Sequence, residues 1–445
     1  MSATGFDSAL RIVVAALLLV VVFAALRRSP KVAVAAWLIV ICFVPIWVGV
    51  QVIAYLPAFA AIGILSAISL LPVPAQIHTS LADLLFAAVL IIVAIESLTG
   101  DTTRSASYEF FTTWAAAFFL GRLVSQVVDP EWIYRAFAAI FTIVAVLALI
   151  EFVTSNNLFV TYLINDTRNF DVWGGLQPRG GVLRAEGAFG HSIALGASLA
   201  IAVALTMGAK IRPWLKSAIL LVMVAAVVVT FSRIGMVTAA IGIILACLFQ
   251  REVMSRAYRT FVLILLGFAA VAGAVYVSTI FADAGDEATN SALYRSDLLA
   301  LVTDMRPIGL TETYRLSTTG EVSIAGLGSI DNAALLFGLL YGWVPLTLMG
   351  LLLVAAMVYV VRRHATPAVI AIVAQIPAFL TVALITQYGS VIWFTAGMAV
   401  TTQVIANSSR SMRRLVPEHE FLAGAQQRAR TRTTDVDSAR EVPVP

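Results

Sequence analysis

Charged residues are scarce in this chain. Aspartate, glutamate, lysine and arginine make up 12% of its 445 residues, whereas hydrophobic residues make up 60%. Soluble globular proteins carry about 25% charged residues, so the composition excludes an ordinary soluble domain. It indicates a polytopic membrane protein.

Cysteine and histidine are rare as well, with two and four copies. Cys42 and Cys247 lie within apolar runs, where cysteine usually serves as a small hydrophobic side chain. A disulfide framework or a metal site is therefore not expected. No nucleotide-binding loop is recognisable, and the net charge of +4 lies largely in short turns. We expect no cofactor and no nucleic-acid partner.

Apolar runs long enough to cross a membrane recur along the chain. They predict an all-α, polytopic membrane protein with about 12–13 transmembrane helices. The transmembrane domain is expected over residues 1–407, including polar outer loops at 154–188 and 282–332. The large outer loop separates the spans near 259–281 and 333–360. The polar segment 408–445 is expected to form a disordered cytoplasmic tail.

Basic residues predict the orientation of these spans. Lysine and arginine are enriched in cytoplasmic loops, and the basic clusters fall on one side of the predicted membrane. The same parity places both polar loops and the short turn at 231–234 on the outer face. The clusters are Arg27, Arg28 and Lys31; Lys210, Arg212 and Lys216; Arg251, Arg256 and Arg259; Arg362 and Arg363; and Arg410, Arg413 and Arg414.

Three arginines, Arg184, Arg233 and Arg295, lie on the predicted outer face. Arginines there oppose the positive-inside bias and are costly near hydrocarbon. A guanidinium group can form two parallel hydrogen bonds with phosphate oxygens. Together the three predict a site for a di-anionic group. The alternative is that each arginine only forms a salt bridge with a nearby carboxylate such as Glu186.

Glu186, His191 and Asp331 are the candidate proton carriers on the same face. Each also has a simpler structural interpretation. A histidine at a helix start can serve as a cap or an interfacial anchor, and Asp331 with Asn332 could cap the following helix.

Four further acidic and basic residues lie within apolar runs. Asp83 and Arg122 are predicted to form a structural ion pair between neighbouring helices, because an unpaired charge is costly there. Glu96 and Glu151, near outer helix ends, carry no specific signal.

The long loop contains apolar residues at helical spacing. Leu298, Leu301, Val302 and Met305 recur in this way, and Pro307 and Gly309 end the pattern. We expect a helix that lies across the outer surface.

Four short motifs, in order, resemble those of the bacterial O-antigen ligase and polymerase family. The resemblance covers about residues 80–405. The motifs are Arg184, Gly187 and Phe189; Ser232, Arg233 and Gly235; Arg295, Pro307 and Gly309; and Asn332 with Leu335, followed by Gly338, Tyr341 and Gly342.

This resemblance implies a glycosyltransferase of the bacterial cytoplasmic (inner) membrane that works on the outer face. Its donor would be an oligosaccharide on undecaprenyl diphosphate, which supplies the expected di-anion. Implied partners are this lipid-linked oligosaccharide, the lipid bilayer, and chain-length regulator and flippase proteins. The substrate-binding candidates are Arg184, Arg233, Arg295, Ser232 and Asn332, and the catalytic candidates are Asp331, His191 and Glu186.

Two alternatives to a polymerase remain open. Ligases of the family usually have a histidine directly before the asparagine at the end of the long loop, where this chain has Asp331, so we favour the polymerase over the ligase. A polysaccharide transporter or flippase would also have many spans and intramembrane charges. Transporters often show a repeat between halves, and none is visible in this sequence.

Overall fold

Helices account for 74% of the structure, a computed structural model, and strands for 4%, in agreement with the predicted all-α class. The structure describes residues 20–415 except for 72–78, 165–166, 180, 251–253, 265, 268–270, 272–297 and 317–321. The chain divides into two units, Met1–Thr402 and Gln403–Pro445. The second unit is described as far as Leu415 and is helical there.

The helices are labelled here in chain order. They are α1 (Pro30–Phe43), α2 (Ala58–Leu70), α3 (Leu81–Thr99), α4 (Arg104–Glu109), α5 (Ala116–Val127), α6 (Pro130–Thr154), α7 (Leu158–Tyr162), α8 (Arg168–Trp173), α9 (Ser192–Gly208), α10 (Pro213–Val229), α11 (Arg233–Phe249), α12 (Ala333–Tyr341), α13 (Trp343–Val361), α14 (Pro367–Ala374), α15 (Ile376–Phe379) and α16 (Thr386–Leu415). A π-helical turn at Phe110–Ala115 joins α4 to α5, and 3₁₀ turns occupy Gly187–Phe189 and Leu301–Asp304.

The strands form three separate antiparallel hairpins. Their strands are β1 (Gly49–Gln51) with β2 (Tyr55–Pro57), β3 (Pro178–Arg179) with β4 (Val182–Leu183), and β5 (Tyr314–Leu316) with β6 (Val322–Ile324).

Four helices among the described residues are long and apolar enough to cross a membrane: Leu81–Thr99, Pro130–Thr154, Trp343–Val361 and Thr386–Arg410. Six further apolar helices have 10–17 residues. The described part of the chain thus has fewer helices of this length than the predicted 12–13 spans, because several predicted spans form shorter helices. The predicted spans near 8–26 and 259–281 lie largely outside the described residues.

One predicted span is broken in two. The run near 333–360 forms α12 and α13, with Gly342 between them at φ +92°. A Cβ at Gly342 would lie 2.6 Å from the backbone oxygen of Pro307. The middle of the long loop therefore approaches Gly342 so closely that only glycine fits. The last helix, α16, runs to Leu415, beyond the predicted boundary at residue 407.

Helix α9 lies at the centre of the first unit. All its residues except Ile193 are buried, and α6, α10, α11 and α14 pack around it. Its sequence is rich in alanine, glycine and serine, which allow close approach between helices. A Cβ at Gly235 of α11 would lie only 3.0 Å from the backbone of Gly196. The two glycines therefore bring the N-terminal turns of α9 and α11 together.

Several helix ends and loops meet at one end of this arrangement, which we call the motif end. The backbone N–H of Ala185 donates to the oxygen of Val229 at the end of α10, 3.2 Å away. The N–H of Gly187 donates to Glu151 in the last turns of α6. Gln387, at the start of α16, donates its side-chain N–H to Ala188. The 184–190 segment thus links α6, α9, α10 and α16.

Basic residues lie at the opposite ends of the same helices, which we call the basic end. The ring of Trp132 in the first turn of α6 lies 5.8 Å from the ammonium group of Lys31 at the start of α1. The backbone N–H of Lys210 donates to Glu131, also in the first turn of α6. Lys216 donates to the oxygen of Met207, 3.0 Å away at the end of α9.

The predicted ion pair between Asp83 and Arg122 is confirmed. The Nε and Nη2 atoms of Arg122 lie 2.8 and 2.9 Å from the two carboxylate oxygens of Asp83. The Nη1 atom donates to the hydroxyl of Thr401 at 2.8 Å. This network joins α3, α5 and α16, and it pairs the buried guanidinium group of Arg122, which would be costly alone.

Candidate functional site

Arg184 lies against the turn between α10 and α11. Its Nε donates to the backbone oxygen of Thr230 at 3.1 Å, and its side chain is largely buried, with 9% exposure. The structure therefore brings together two motifs, at Arg184 and at Ser232–Arg233, that lie about fifty residues apart in sequence.

The turn itself is shaped by serine and threonine hydroxyls. The Oγ of Ser232 accepts the N–H of Gly235 at 3.1 Å and so caps α11, and Ser232 N–H donates to Thr230 Oγ1. Phe231 adopts φ +49°, which is unfavourable for a bulky residue. Arg233 follows as the first residue of α11, and its side chain is exposed. The Ser232 hydroxyl thus serves as a helix cap, while Arg233 faces outward.

Glu186 is almost fully buried, with 1% exposure. Its Oε1 accepts the N–H of Gln177 at 3.3 Å. Burial, with a smaller contribution from the charge of Glu151, raises the pKa of Glu186 to about 7, although the hydrogen bond from Gln177 and the charge of Arg184 lower it. Glu186 can therefore gain or lose a proton near neutral pH, which suits a general base.

His191 caps the N-terminus of α9. Its Nδ1 accepts the N–H of Ile193 at 3.1 Å, so the neutral imidazole carries its proton on Nε2. Burial, and then the charge of Arg184, lower the pKa of His191 to about 4. His191 is therefore better suited to donate a hydrogen bond from Nε2 than to act as a base. The structure also shows it as a helix cap, in agreement with the simpler interpretation.

Asp331 and Asn332 lie at the start of α12. Asn332 caps this helix, because its Oδ1 accepts the N–H of Leu335 and its Nδ2 donates to the oxygen of Leu380, both at 2.9 Å. Asp331 is exposed and accepts a hydrogen bond from Ser329 at 3.1 Å. The bond from Asn332 to Leu380 ties the start of α12 to the segment before α16.

The long loop is described only in part, and Arg295 lies outside the described residues. Within the described residues, part of the predicted helix is present, with helical residues at 298–300 followed by a 3₁₀ turn at Leu301–Asp304. Leu298 and Leu301 are buried in one cluster with Leu335 and Leu339 of α12. The loop thus packs on α12, next to Asn332.

Two buried glutamates emerge that the sequence did not single out. Glu151 accepts the N–H groups of Glu186 and Gly187 at 3.0 and 2.9 Å and the amide of Asn157 at 2.9 Å. Glu96 accepts the N–H of Gly309 at 3.0 Å. A signal was available, since a carboxylate within an apolar run needs hydrogen-bond donors. The sequence does not say that these donors are the backbones of the two loop motifs.

The arrangement at the motif end can bind an anion and exchange a proton. Arg184 supplies a nearly buried cation, Glu186 a carboxyl group that titrates near neutral pH, and His191 an N–H donor. Arg184 acts electrostatically on both other groups, so the three share one environment. Among the described residues, no group of three or more histidine, cysteine, aspartate or glutamate side chains could hold a metal. No family model, curated protein or solved structure matches this chain.

Proposed function

We propose that this chain is a multi-pass protein of the bacterial cytoplasmic membrane and a glycosyltransferase that polymerises oligosaccharides carried on undecaprenyl diphosphate. The observation that supports this most is the union of Arg184 with the Ser232–Arg233 turn at the motif end. The basic clusters of the same helices lie at the other end. An arginine site on the outer face requires this separation.

The lengths of the helices are compatible with a membrane. Helices α9, α10 and α11 have 17 residues each, which corresponds to about 26 Å. The hydrocarbon core of a bilayer is about 30 Å thick. Alongside the four longer helices, these three can therefore serve as spans, which makes seven candidate spans among the described residues, fewer than the proposed 12–13.

The proposed reaction is an inverting transfer at the anomeric carbon of the donor sugar. The acceptor hydroxyl oxygen attacks this carbon, the bond to the diphosphate oxygen breaks, and its electron pair leaves with undecaprenyl diphosphate. Arg184, Arg233 and Arg295 hold the diphosphate and neutralise the charge that develops on it. The carboxylate of Glu186 takes the proton of the hydroxyl, and His191 donates a hydrogen bond. Asp331 is the other candidate base, which Asp331→Asn tests.

Orientation can be tested by labelling single cysteines in intact cells. We expect Ser323→Cys, in the long loop, to react with an impermeant maleimide, and Lys210→Cys, at the basic end, to react only after permeabilisation. The native cysteines are 1% and 2% exposed, so their background labelling should be slow. The reverse pattern would place the arginines in the cytoplasm and contradict the proposal.

The activity is tested with purified protein in liposomes that contain an undecaprenyl-diphosphate oligosaccharide. A ladder of products on a gel is the result expected for a polymerase. A single transfer to another acceptor would indicate a ligase. Movement of the lipid across the bilayer without new glycosidic bonds would indicate a flippase and overturn the proposal.

A further inference from the structure

Glu151 holds the backbone on both sides of the Glu186 side chain in the 184–187 segment. Its carboxylate oxygens accept the N–H groups of Glu186 and Gly187. Asn157 reinforces this grip, because its amide donates both to Glu151 at 2.9 Å and to the backbone oxygen of Gly187 at 3.0 Å. All four residues are buried. Hydrogen bonds to Glu151, near the end of α6, and from Asn157, just after it, therefore hold the 184–187 segment in place.

Burial of the Glu151 carboxylate costs free energy that an apolar side chain at this position would not cost. A buried carboxylate is expensive unless donors surround it, and three donors are present here. An apolar residue at this position would pack in an apolar helix but would leave the N–H groups of Glu186 and Gly187 unpaired. The arrangement fixes the direction in which Arg184 and Glu186 leave the backbone.

We infer that Glu151 is a positioning residue that holds Glu186 in place and presents a carboxylate to it from α6. This inference rests on the proposed function, in which Glu186 is the base.

The charges that face Glu186 come from two directions. Arg184, on the same segment, stabilises its carboxylate form, and Glu151, from α6, destabilises it. His191, at the start of α9, is neutral in this environment. Removal of the charge at Glu151 should therefore lower the pKa of Glu186. A change that only loosens the segment should alter the position of Glu186 and leave its pKa unchanged.

The test is an infrared titration of the purified full-length protein in lipid, combined with the rate of glycan assembly against pH. The protonated carboxyl band of Glu186 is identified by its loss in Glu186→Gln. We expect Glu151→Gln to shift the midpoint of this band and the acidic limb of the rate profile to lower pH. Glu151→Asp keeps the charge but shortens the reach, so it should keep the midpoint and lower turnover about tenfold.

Asn157→Ala is the matched control, because it weakens the same grip and leaves the charge of Glu151 in place. It should keep the midpoint of Glu186 near the wild-type value. Equal shifts in Glu151→Gln and Asn157→Ala would mean that only loosening matters and would overturn the inference. So would a Glu151→Asp variant with wild-type titration and turnover, an outcome that can be read even if Glu151→Gln does not fold. If the wild type shows no turnover, the proposed function fails, and the infrared titration alone still decides the charge effect.

Discussion

Glu151 and Glu96 are alike in sequence context and differ in how they are satisfied. Each lies in the last turns of a long apolar helix and accepts the N–H of a glycine with positive φ, +56° at Gly187 and +88° at Gly309. Both oxygens of Glu151 are hydrogen-bonded, by three donors in total. Within the described residues, the Oε2 atom of Glu96 is buried without a hydrogen-bond partner.

The difference shows which loop depends on its glutamate. The N–H of Gly309 also reaches the backbone oxygen of Tyr341 at 3.2 Å, so it keeps a partner without Glu96. For the N–H groups of Glu186 and Gly187, the carboxylate of Glu151 is the acceptor that holds them. The 184–187 segment is thus fixed by a side chain, whereas the 307–309 segment is fixed mainly by backbone contacts.

The largest effect should come from removal of each glutamate. Glu151→Ala leaves the two buried backbone N–H groups of Glu186 and Gly187 unpaired and should lower the free energy of unfolding by about 3 kcal/mol or more. Glu96→Ala should cost about 1 kcal/mol or less, since it also removes an unpaired buried oxygen. Thermal unfolding of both variants in one detergent measures the difference. Equal losses would show that the comparison is wrong.

Next in size is the pH dependence that arises from Glu186. Its pKa is raised from 4.5 to about 7 in the folded state. The stability that its protonated form contributes is therefore present below pH 4.5 and is lost as the pH rises through about 7. Between pH 4.5 and about 7, the free energy of unfolding of the wild type should fall by about 3 kcal/mol relative to that of Glu186→Gln.

The difference between the two proteins isolates Glu186, since both retain His191. The pKa of His191 is lowered to about 4, so its contribution has the opposite sign and is lost as the pH falls from 6.5. Chemical unfolding at several pH values provides the measurement. A wild-type minus Glu186→Gln difference that does not change with pH would contradict the raised pKa.

Replacement of Gly187 or Gly309 by alanine should change the free energy of unfolding by a smaller amount. A Cβ at Gly309 would lie 3.0 Å from the backbone oxygen of Asp101, whereas at Gly187 the nearest atom is a methyl carbon of Leu195 at 3.7 Å. Gly187→Ala then costs only the positive φ, about 1 kcal/mol, and Gly309→Ala about 2 kcal/mol. Unfolding midpoints of the two variants compare them, and a larger loss at Gly187 would refute this order.

Composition and apolar patterning predicted the helical class, because the apolar runs are long enough to cross a membrane. They also predicted the Asp83–Arg122 pair, because an unpaired charge is costly in such runs. They did not predict the break at Gly342, since the residues on either side are apolar and the cause is the distant oxygen of Pro307. The roles of Glu151 and Glu96 were missed for the same reason. Their partners are backbone groups, which every residue possesses and no residue type reveals.

The proposed function depends on Arg184 as part of a site that binds a diphosphate. Arg184→Lys keeps the charge but loses the planar group that forms two parallel bonds with phosphate. Arg135→Lys is the matched control, because Arg135 is exposed and pairs with Glu131 in the first turns of α6.

The decisive measurement is therefore the rate of glycan assembly in liposomes by the wild type and by these two variants at equal amounts of folded protein. We predict that Arg184→Lys slows assembly by about tenfold or more, which corresponds to about 1.4 kcal/mol of transition-state stabilisation, and that Arg135→Lys does not change it. Wild-type assembly by Arg184→Lys would contradict the account.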